Sequence, residues 1–394
     1  MLLLEIDKLK PGLEAAAPVR HPQAPDVDLV LPGVRLEEGM ICSLRRLGVR
    51  EMWVRWPGLD FLDEQVNHHV TQLRQDVYRQ LKTDFQAVQT LTVGVGDYAR
   101  YCDLISTLAI ELLSDRQNGL GMYSSALFDG DPGLFGHAAN VTYLALTLSM
   151  RMEGYVIQER RRAGAKAADN LTNLGVGAML HDIGKLQLPS TLSEHEPMSG
   201  QPSAAYGEHP RRGCRMIHDR VGATARCVVM HHHQRFDGMG FPDMSSVTRK
   251  RRSGPLVGRN IHIFPRIVAV CDALDNLGHD AGGRRPVAAA LHDIQVPGMR
   301  GRFDPVVLLA LLRHVPPFGL GTHVKLTDRR LAAVIALNHQ RPCRPTVRLL
   351  QKRKGRFVDV DLALNEDVRI AEALGAPVQR WYYELPLATP VAVG

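Results

Sequence analysis

The chain has 394 residues, of which 45% are hydrophobic and 23% charged, enough apolar material for a large core spread over two or three domains. Aromatic residues make up only 6%, which counts against the rows of stacking rings that single-stranded nucleic-acid binders need. A formal net charge of +7 either favours phosphates and other polyanions as partners or is scattered solubility charge.

Residues 1–95 read as a small α/β accessory or regulatory module. Pro11, Pro18, Pro22, Pro25 and Pro32 interrupt its first third, so long helices are not expected there. A helix holding Ile41, Leu44 and Leu47 leads into a short strand, Val49–Val54. Between Asp63 and Thr90, Val66, Val70, Leu73, Val77 and Leu81 recur every three or four positions, which predicts an amphipathic linker helix. Residues 96–315 read as a helical domain. Its helices are predicted over Tyr98–Leu113, from Leu134 after the Pro132-Gly133 break, and over Asn173–Lys185, Ala223–His233 and Pro265–Leu277. On the second of these, His137, Val141, Leu144 and Leu148 share one face. Asp304 and Pro305 predict the N-cap and first residue of a last helix through Leu312. Residues 316–394 change character: Thr322–Leu326, Leu331–Leu337, Thr346–Leu350 and Arg356–Val360 predict the strands of a small antiparallel unit packed on the helices.

Six cysteines without a CxxC pair predict reduced thiols rather than a disulfide frame or zinc knuckle. The stretch Met1–Asp7 is too short and acidic for a signal peptide, and no apolar run approaches the ~18 residues of a membrane span. A soluble protein of the cytoplasm is therefore expected.

Seventeen histidines are many for this length, and histidine is the commonest metal ligand. The strongest local signal is His181-Asp182-Ile183-Gly184-Lys185 at the end of an apolar run. Two ligand-type side chains there are costly to bury unpaired. A metal resolves the cost, because an imidazole binds one ion and a carboxylate can bridge two. The second signal is the triplet His231-His232-His233 followed by Asp237-Gly238-x-Gly240-Phe241-Pro242, whose turn chemistry ends a helix. Each alone also reads as a solvated helix end. Together with His137, His209 and Asp272 they distribute imidazoles and carboxylates over five helical segments, the way bundles build di-metal sites.

This constellation resembles the HD-GYP family of bacterial HD phosphohydrolases. The likeness runs over roughly residues 97–350 and includes His181-Asp182-Ile183-Gly184-Lys185, His209-Pro210 with Gly213, His232-His233-x-Arg235-x-Asp237-Gly238-x-Gly240-Phe241-Pro242, and Asp272-Ala273-Leu274-Asp275. It implies a mainly α protein: an HD-type helical bundle with a small N-terminal α/β module and a short C-terminal antiparallel β unit. It implies two divalent metal ions, iron first, with manganese, zinc or nickel as alternatives. His137, His181, Asp182 and Asp272 would surround one ion. Asp182, His209, His232 and His233 would surround the other, with Asp182 bridging, while His231 falls at an ordinary helix position. The implied activity is hydrolysis of a cyclic dinucleotide, cyclic di-GMP to linear pGpG, GMP or both, by a metal-activated hydroxide. Asp182 and Lys185 would be catalytic. Lys185, Asp237, Gly240, Phe241, Arg284 and Arg285 would contact substrate. Diguanylate cyclase (GGDEF) domains are implied as partners, and the leading module is expected to sense a signal or to form a homodimer.

The chain departs from the family pattern at several points. The family's tyrosine is Phe241, the usual glutamate after the histidine pair is Gln234, and the position four residues before His137 is Gly133, which favours two metals over three. The family's Arg-Pro-Tyr segment reads Arg284-Arg285-Pro286-Val287 and is displaced by an insertion, and the stretch Thr191–Tyr206 is unusual. Alternatives are a receptor or scaffold that recruits a diguanylate cyclase, a phosphodiesterase for cyclic GMP-AMP, and an HD hydrolase acting on nucleotides or (p)ppGpp. A nucleic-acid binder is suggested only by the basic runs Arg160-Arg161-Arg162 and Arg249-Lys250-Arg251-Arg252.

Overall fold

The structure, a computed structural model, describes residues 1–22, 24–65, 68–89, 98–114, 133–160, 171–189, 203–243, 256–280 and 283–386. The run 249–252, most of the run 160–162 and residues 191–202 lie outside these.

Among the described residues the largest apolar cluster is a helical bundle. The helix Leu134–Arg151 runs through its centre and is buried from Gly136 to Met150, apolar on nearly every side. Among the described residues the helices Pro305–His314, His68–Gln89, Tyr98–Ser114, Thr172–Leu180 and Ile263–Leu277 pack around it. Ala223–His231 packs on the last two of these. The linker helix is thus part of the bundle: Val70, Leu73, Val77 and Leu81 are buried in its core, with Arg74 lying over the Tyr143 ring at 4.5 Å. Asp304 caps the helix Pro305–His314 by accepting from Val306 N at 2.9 Å, as its sequence predicts. The same carboxylate also accepts from the Tyr155 hydroxyl and pairs with Arg266, which in turn holds Glu159.

The predicted helix over 173–185 stops at Leu180 and tightens into a 3-10 turn, Ile183–Gln187. The predicted tail strands are found at His323–Leu326, Leu331–Ala336, Thr346–Leu349 and Asp359–Asp361. Two more, Ile370–Ala373 and Ala376–Pro377, complete a six-stranded antiparallel sheet. In space its order is 359–361, 346–349, 331–336, 323–326, 370–373, 376–377.

The leading segment begins with a strand, Leu2–Glu5, paired antiparallel to Glu51–Val54. Val19–His21 and Ala24–Val30 form a hairpin, and Glu38–Arg46 is the expected short helix. Leu3 bridges to Thr322, the residue just before the inner strand His323–Leu326 of the closing sheet. Leu2, Leu4, Val54 and Leu59 share one hydrophobic cluster with Val324, Val334, Val347 and Ile370. The short helix Val287–Asp293 joins the two clusters: Val287, Ala290 and Leu291 face the bundle, while Ala288 and Ala289 face the sheet. No helix of the described residues is long and apolar enough to cross a membrane.

Arg266 is 3% exposed, and its partners Asp304 and Glu159 are 1% and 8% exposed. Removing the guanidinium leaves the buried Asp304 carboxylate without its counter-charge and Glu159 with Arg259 alone. Arg266→Ala should therefore lower stability by about 3–5 kcal/mol, read from the urea midpoint, and a loss below about 1 kcal/mol would show that the network is not holding these helices together.

Candidate metal centre

The Thr172–Leu180 helix is apolar, and every residue from Leu174 to Leu180 is buried. Its end lies inside the protein, so His181 and Asp182 enter the core at 0% and 1% exposure. Gly184 lets the chain turn there. A Cβ on it would stand 1.9 Å from the His209 carbonyl oxygen and 2.5 Å from the Gly213 nitrogen. The helix His209–Met216 therefore lies directly on the turn and delivers His209 to the same pocket. Lys185 folds back, placing Nζ 2.6 Å from Asp182 Oδ2.

Three imidazoles are fixed in one tautomer by the same device. Nδ1 of His181, His209 and His232 lies 2.7, 2.8 and 2.9 Å from the carbonyl oxygens of Ala178, Tyr206 and Val229, each three residues earlier. A carbonyl only accepts, so each Nδ1 carries the proton and each Nε2 keeps a lone pair. His209 and His232 Nε2 then face each other at 3.2 Å. Burial pushes both pKa values down, His232 to about 4, so no proton separates the two nitrogens at neutral pH. A shared cation resolves this contact. Two nitrogens each ~2.0–2.1 Å from one ion stand about 3 Å apart in adjacent coordination positions.

Asp182 lies between two groups of donors. Its Oδ1 is 3.3 Å from His209 Nε2 and 3.6 Å from His232 Nε2. Its Oδ2 is 3.4 Å from His181 Nε2 and 3.7 Å from His137 Nε2. Both oxygens are buried, and Oδ2 is held by Lys185 as well as facing the imidazoles. Burial opposes ionisation, yet Lys185 and His181 hold this carboxyl well below the usual range. The groups that can hold a metal are accordingly His137, His181 and Asp182, and Asp182, His209, His232 and His233. Burial and the neighbouring His232 and His209 push His233 well down, leaving it neutral.

The helix Ile263–Leu277 brings Asp272 to the first group, with Oδ1 3.0 Å from His137 Nε2. One turn on, Asp275 Oδ2 accepts from His137 Nδ1 at 2.7 Å, and its Oδ1 accepts from Asn140 at 3.0 Å. Asn276 donates to Asp272 at 2.7 Å. Burial would lower His137, but Asp272 and Asp275 outweigh it and push it up to about 10. These carboxylates hold positive charge at this spot, which suits a divalent ion as well as a proton. The mixed nitrogen and oxygen donor set fits iron, manganese, zinc or nickel.

The segment after the histidines folds back over them. A Cβ on Gly240 would stand 2.4 Å from the His233 carbonyl oxygen, so only glycine permits the approach. Phe241 donates its N–H to that carbonyl at 3.1 Å, and its ring stacks on His233 with centroids 4.4 Å apart. Asp237 holds the turn, accepting from Arg235 and from Met239 N, each at 3.0 Å. His231 belongs to neither donor group. Arg284 and Arg285 line a different cavity: Arg285 donates to the Leu277 carbonyl and pairs with Asp293, and Arg284 faces Glu51 at 3.9 Å.

Sequence reasoning missed Tyr206. It is 2% exposed, its ring centroid is 5.0 Å from His209 and 6.3 Å from Phe241, and Lys185 Nζ lies 5.4 Å over it. The one available signal was its place three residues before His209, where its carbonyl fixes the imidazole. Asn140 and the orienting role of Asp275 were likewise invisible before the helices were paired.

Residues 122–307 match the HD domain family. A cyclic di-GMP phosphodiesterase of Pseudomonas aeruginosa is 29% identical over 178 residues, 44% of this chain and 40% of that protein. A cyclic di-GMP phosphodiesterase response regulator of Xanthomonas campestris pv. campestris is 31% identical over 143 residues, 35% of each chain. A 3'3'-cGAMP-specific phosphodiesterase of Vibrio cholerae is 28% identical over 145 residues, 35% of this chain and 26% of that one. The chain thus spans well under half the length of the curated relatives it matches.

Asp275 fixes the orientation of His137 through its outer nitrogen, an arrangement that typically tightens metal binding 10–100-fold. Asp275→Ala should lower metal retention by about that factor, measured by elemental analysis after dialysis, and undiminished retention would reduce Asp275 to a packing role.

Proposed function

We propose that this chain, which carries an HD domain, is a metal-dependent phosphodiesterase that hydrolyses a cyclic dinucleotide. Cyclic di-GMP is the first substrate and 3'3'-cGAMP the alternative, in line with the names of the relatives. The observation that carries the reading is the pair of buried donor groups sharing Asp182, with His209 and His232 lone pairs facing across 3.2 Å. His137, His181, Asp182 and Asp272 would hold one ion, and Asp182, His209, His232 and His233 the other, iron being the preferred metal. Held there, two divalent cations would supply charge neutralisation for a phosphodiester and a lowered pKa for a water.

The remaining work falls to this chain's own side chains. Burial disfavours a charged Lys185, but Asp182 more than compensates and keeps it protonated far above neutrality. It is therefore a fixed cation for a phosphate oxygen or the leaving 3' oxygen, not a base. Tyr206 and Phe241 wall the His209 and His233 side and exclude water from it. Asp275 and Asn140 hold His137 in register. The expected product is the linear dinucleotide, pGpG from cyclic di-GMP, with a second cut giving GMP.

Asp182→Ala should abolish both metal loading and hydrolysis, and a variant with full turnover would remove the bridging assignment. Lys185→Ala should keep its metal while kcat on cyclic di-GMP falls about 10²–10³-fold. Equal loss of metal would make Lys185 a structural counter-ion instead.

A further inference from the structure

Arg74 belongs to neither donor group of the metal centre. It sits on the helix His68–Gln89, which follows the leading segment, and it is buried. Burying a guanidinium is costly unless its donors are used. One of them reaches the support of the metal centre: Arg74 Nη2 donates to Asn140 Oδ1 at 3.4 Å. The same amide donates from Nδ2 to Asp275 Oδ1 at 3.0 Å, and Asp275 Oδ2 accepts from His137 Nδ1 at 2.7 Å. Four buried side chains from three helices thus form one hydrogen-bonded chain that ends on the proposed ligand His137.

The central helix arranges this chain. His137, Asn140 and Tyr143 follow one another at steps of three residues, so consecutive members are neighbours on the helix surface. Arg74 spans the last two, with its guanidinium carbon 4.5 Å from the Tyr143 ring centroid. The contact with Tyr143 holds the guanidinium in place. Its N–H in turn sets the Asn140 amide with oxygen toward the linker helix and nitrogen toward Asp275. A cation at the oxygen end strengthens the donation at the nitrogen end, because linked hydrogen bonds polarise one another. With Oδ1 engaged by Asn140, Asp275 offers Oδ2 to the imidazole.

We infer that Arg74 is a positioning residue for the metal centre. It holds Asn140, and through it Asp275 and His137, at the angle that metal binding needs. The inference deepens the metal-centre reading and rests on it. It also gives the helix that follows the leading segment a direct route to the site.

The test is titration of the metal-free full chain with manganese(II) against a competing chelator, with folding followed by the urea midpoint. Arg74→Met removes the donors and keeps an apolar stem in the same space. Partners just beyond a metal ligand typically set affinity by about 10–100-fold, and Arg74 acts two side chains further out, so Arg74→Met should weaken manganese binding about threefold to tenfold. In the Asp275→Ala background the same substitution should change affinity less than about twofold, because the chain is already cut there. A purely structural arginine would weaken binding by the same factor in both backgrounds. That result, or wild-type affinity in Arg74→Met, overturns the inference. Should Arg74→Met fail to fold, Arg74→Gln, which keeps an amide donor but loses the reach to Asn140, takes its place with the same expectation. A wild-type chain that takes up neither manganese nor iron would strike the metal-centre reading itself, and this inference with it.

Discussion

One buried carboxylate organises the molecule's chemistry. Asp182 is 1% exposed and is surrounded by a lysine and four imidazoles drawn from three other segments as well as its own. A charge so placed is tolerable only if each neighbour is held at the right angle. The helix ends supply that control. Three imidazoles donate to carbonyls of their own preceding turn, so the backbone at each helix terminus, the start of one helix for His209 and the ends of two for His181 and His232, also decides which nitrogen faces Asp182.

Much of this was legible beforehand because the chemistry depends on residue type and order. The His181-Asp182 pair, the histidine triplet and the Asp272–Asp275 helix announce ligand chemistry in one dimension, and the structure brings all seven named side chains together. Helices carrying or leading into His137, His181, His232 and Asp272 were readable from the sequence, the polar helix His209–Met216 was not, and the Asp304 cap was readable from its proline neighbour. What stayed hidden depends on pairing between distant segments. Nothing local in Asn140 or Tyr206 tells that one meets Asp275 and the other roofs His209. Arg284 and Arg285 sit in a segment whose direction is set by the cap of the preceding helix, and they face Glu51 and Asp293 rather than the imidazoles. Local pattern also overran the end of the helix at Leu180, because His181 and Asp182 directly follow its apolar run in sequence but lead into a tighter turn in space.

The short Val287–Asp293 helix gives the two halves of the molecule a common wall. Ala288 and Ala289, both fully buried, face the sheet, and Val287, Ala290 and Leu291 face the bundle. A change on either side of this element is felt by close-packed neighbours on the other, since such interiors have little slack. The same stretch lies next to the cap of the helix bearing Asp272.

The strand Leu2–Glu5 is made long before Ile370 and Trp381, which belong to the cluster that covers it. The bundle draws on residues 70–315 for its cluster and so has its material on hand first. Until the closing sheet is made, the cluster around that strand holds only the apolar residues that precede the sheet, Ile41, Leu44, Val54 and Leu59 among them. Contacts of such large sequence separation form slowly, and apolar surface left open in the meantime favours aggregation.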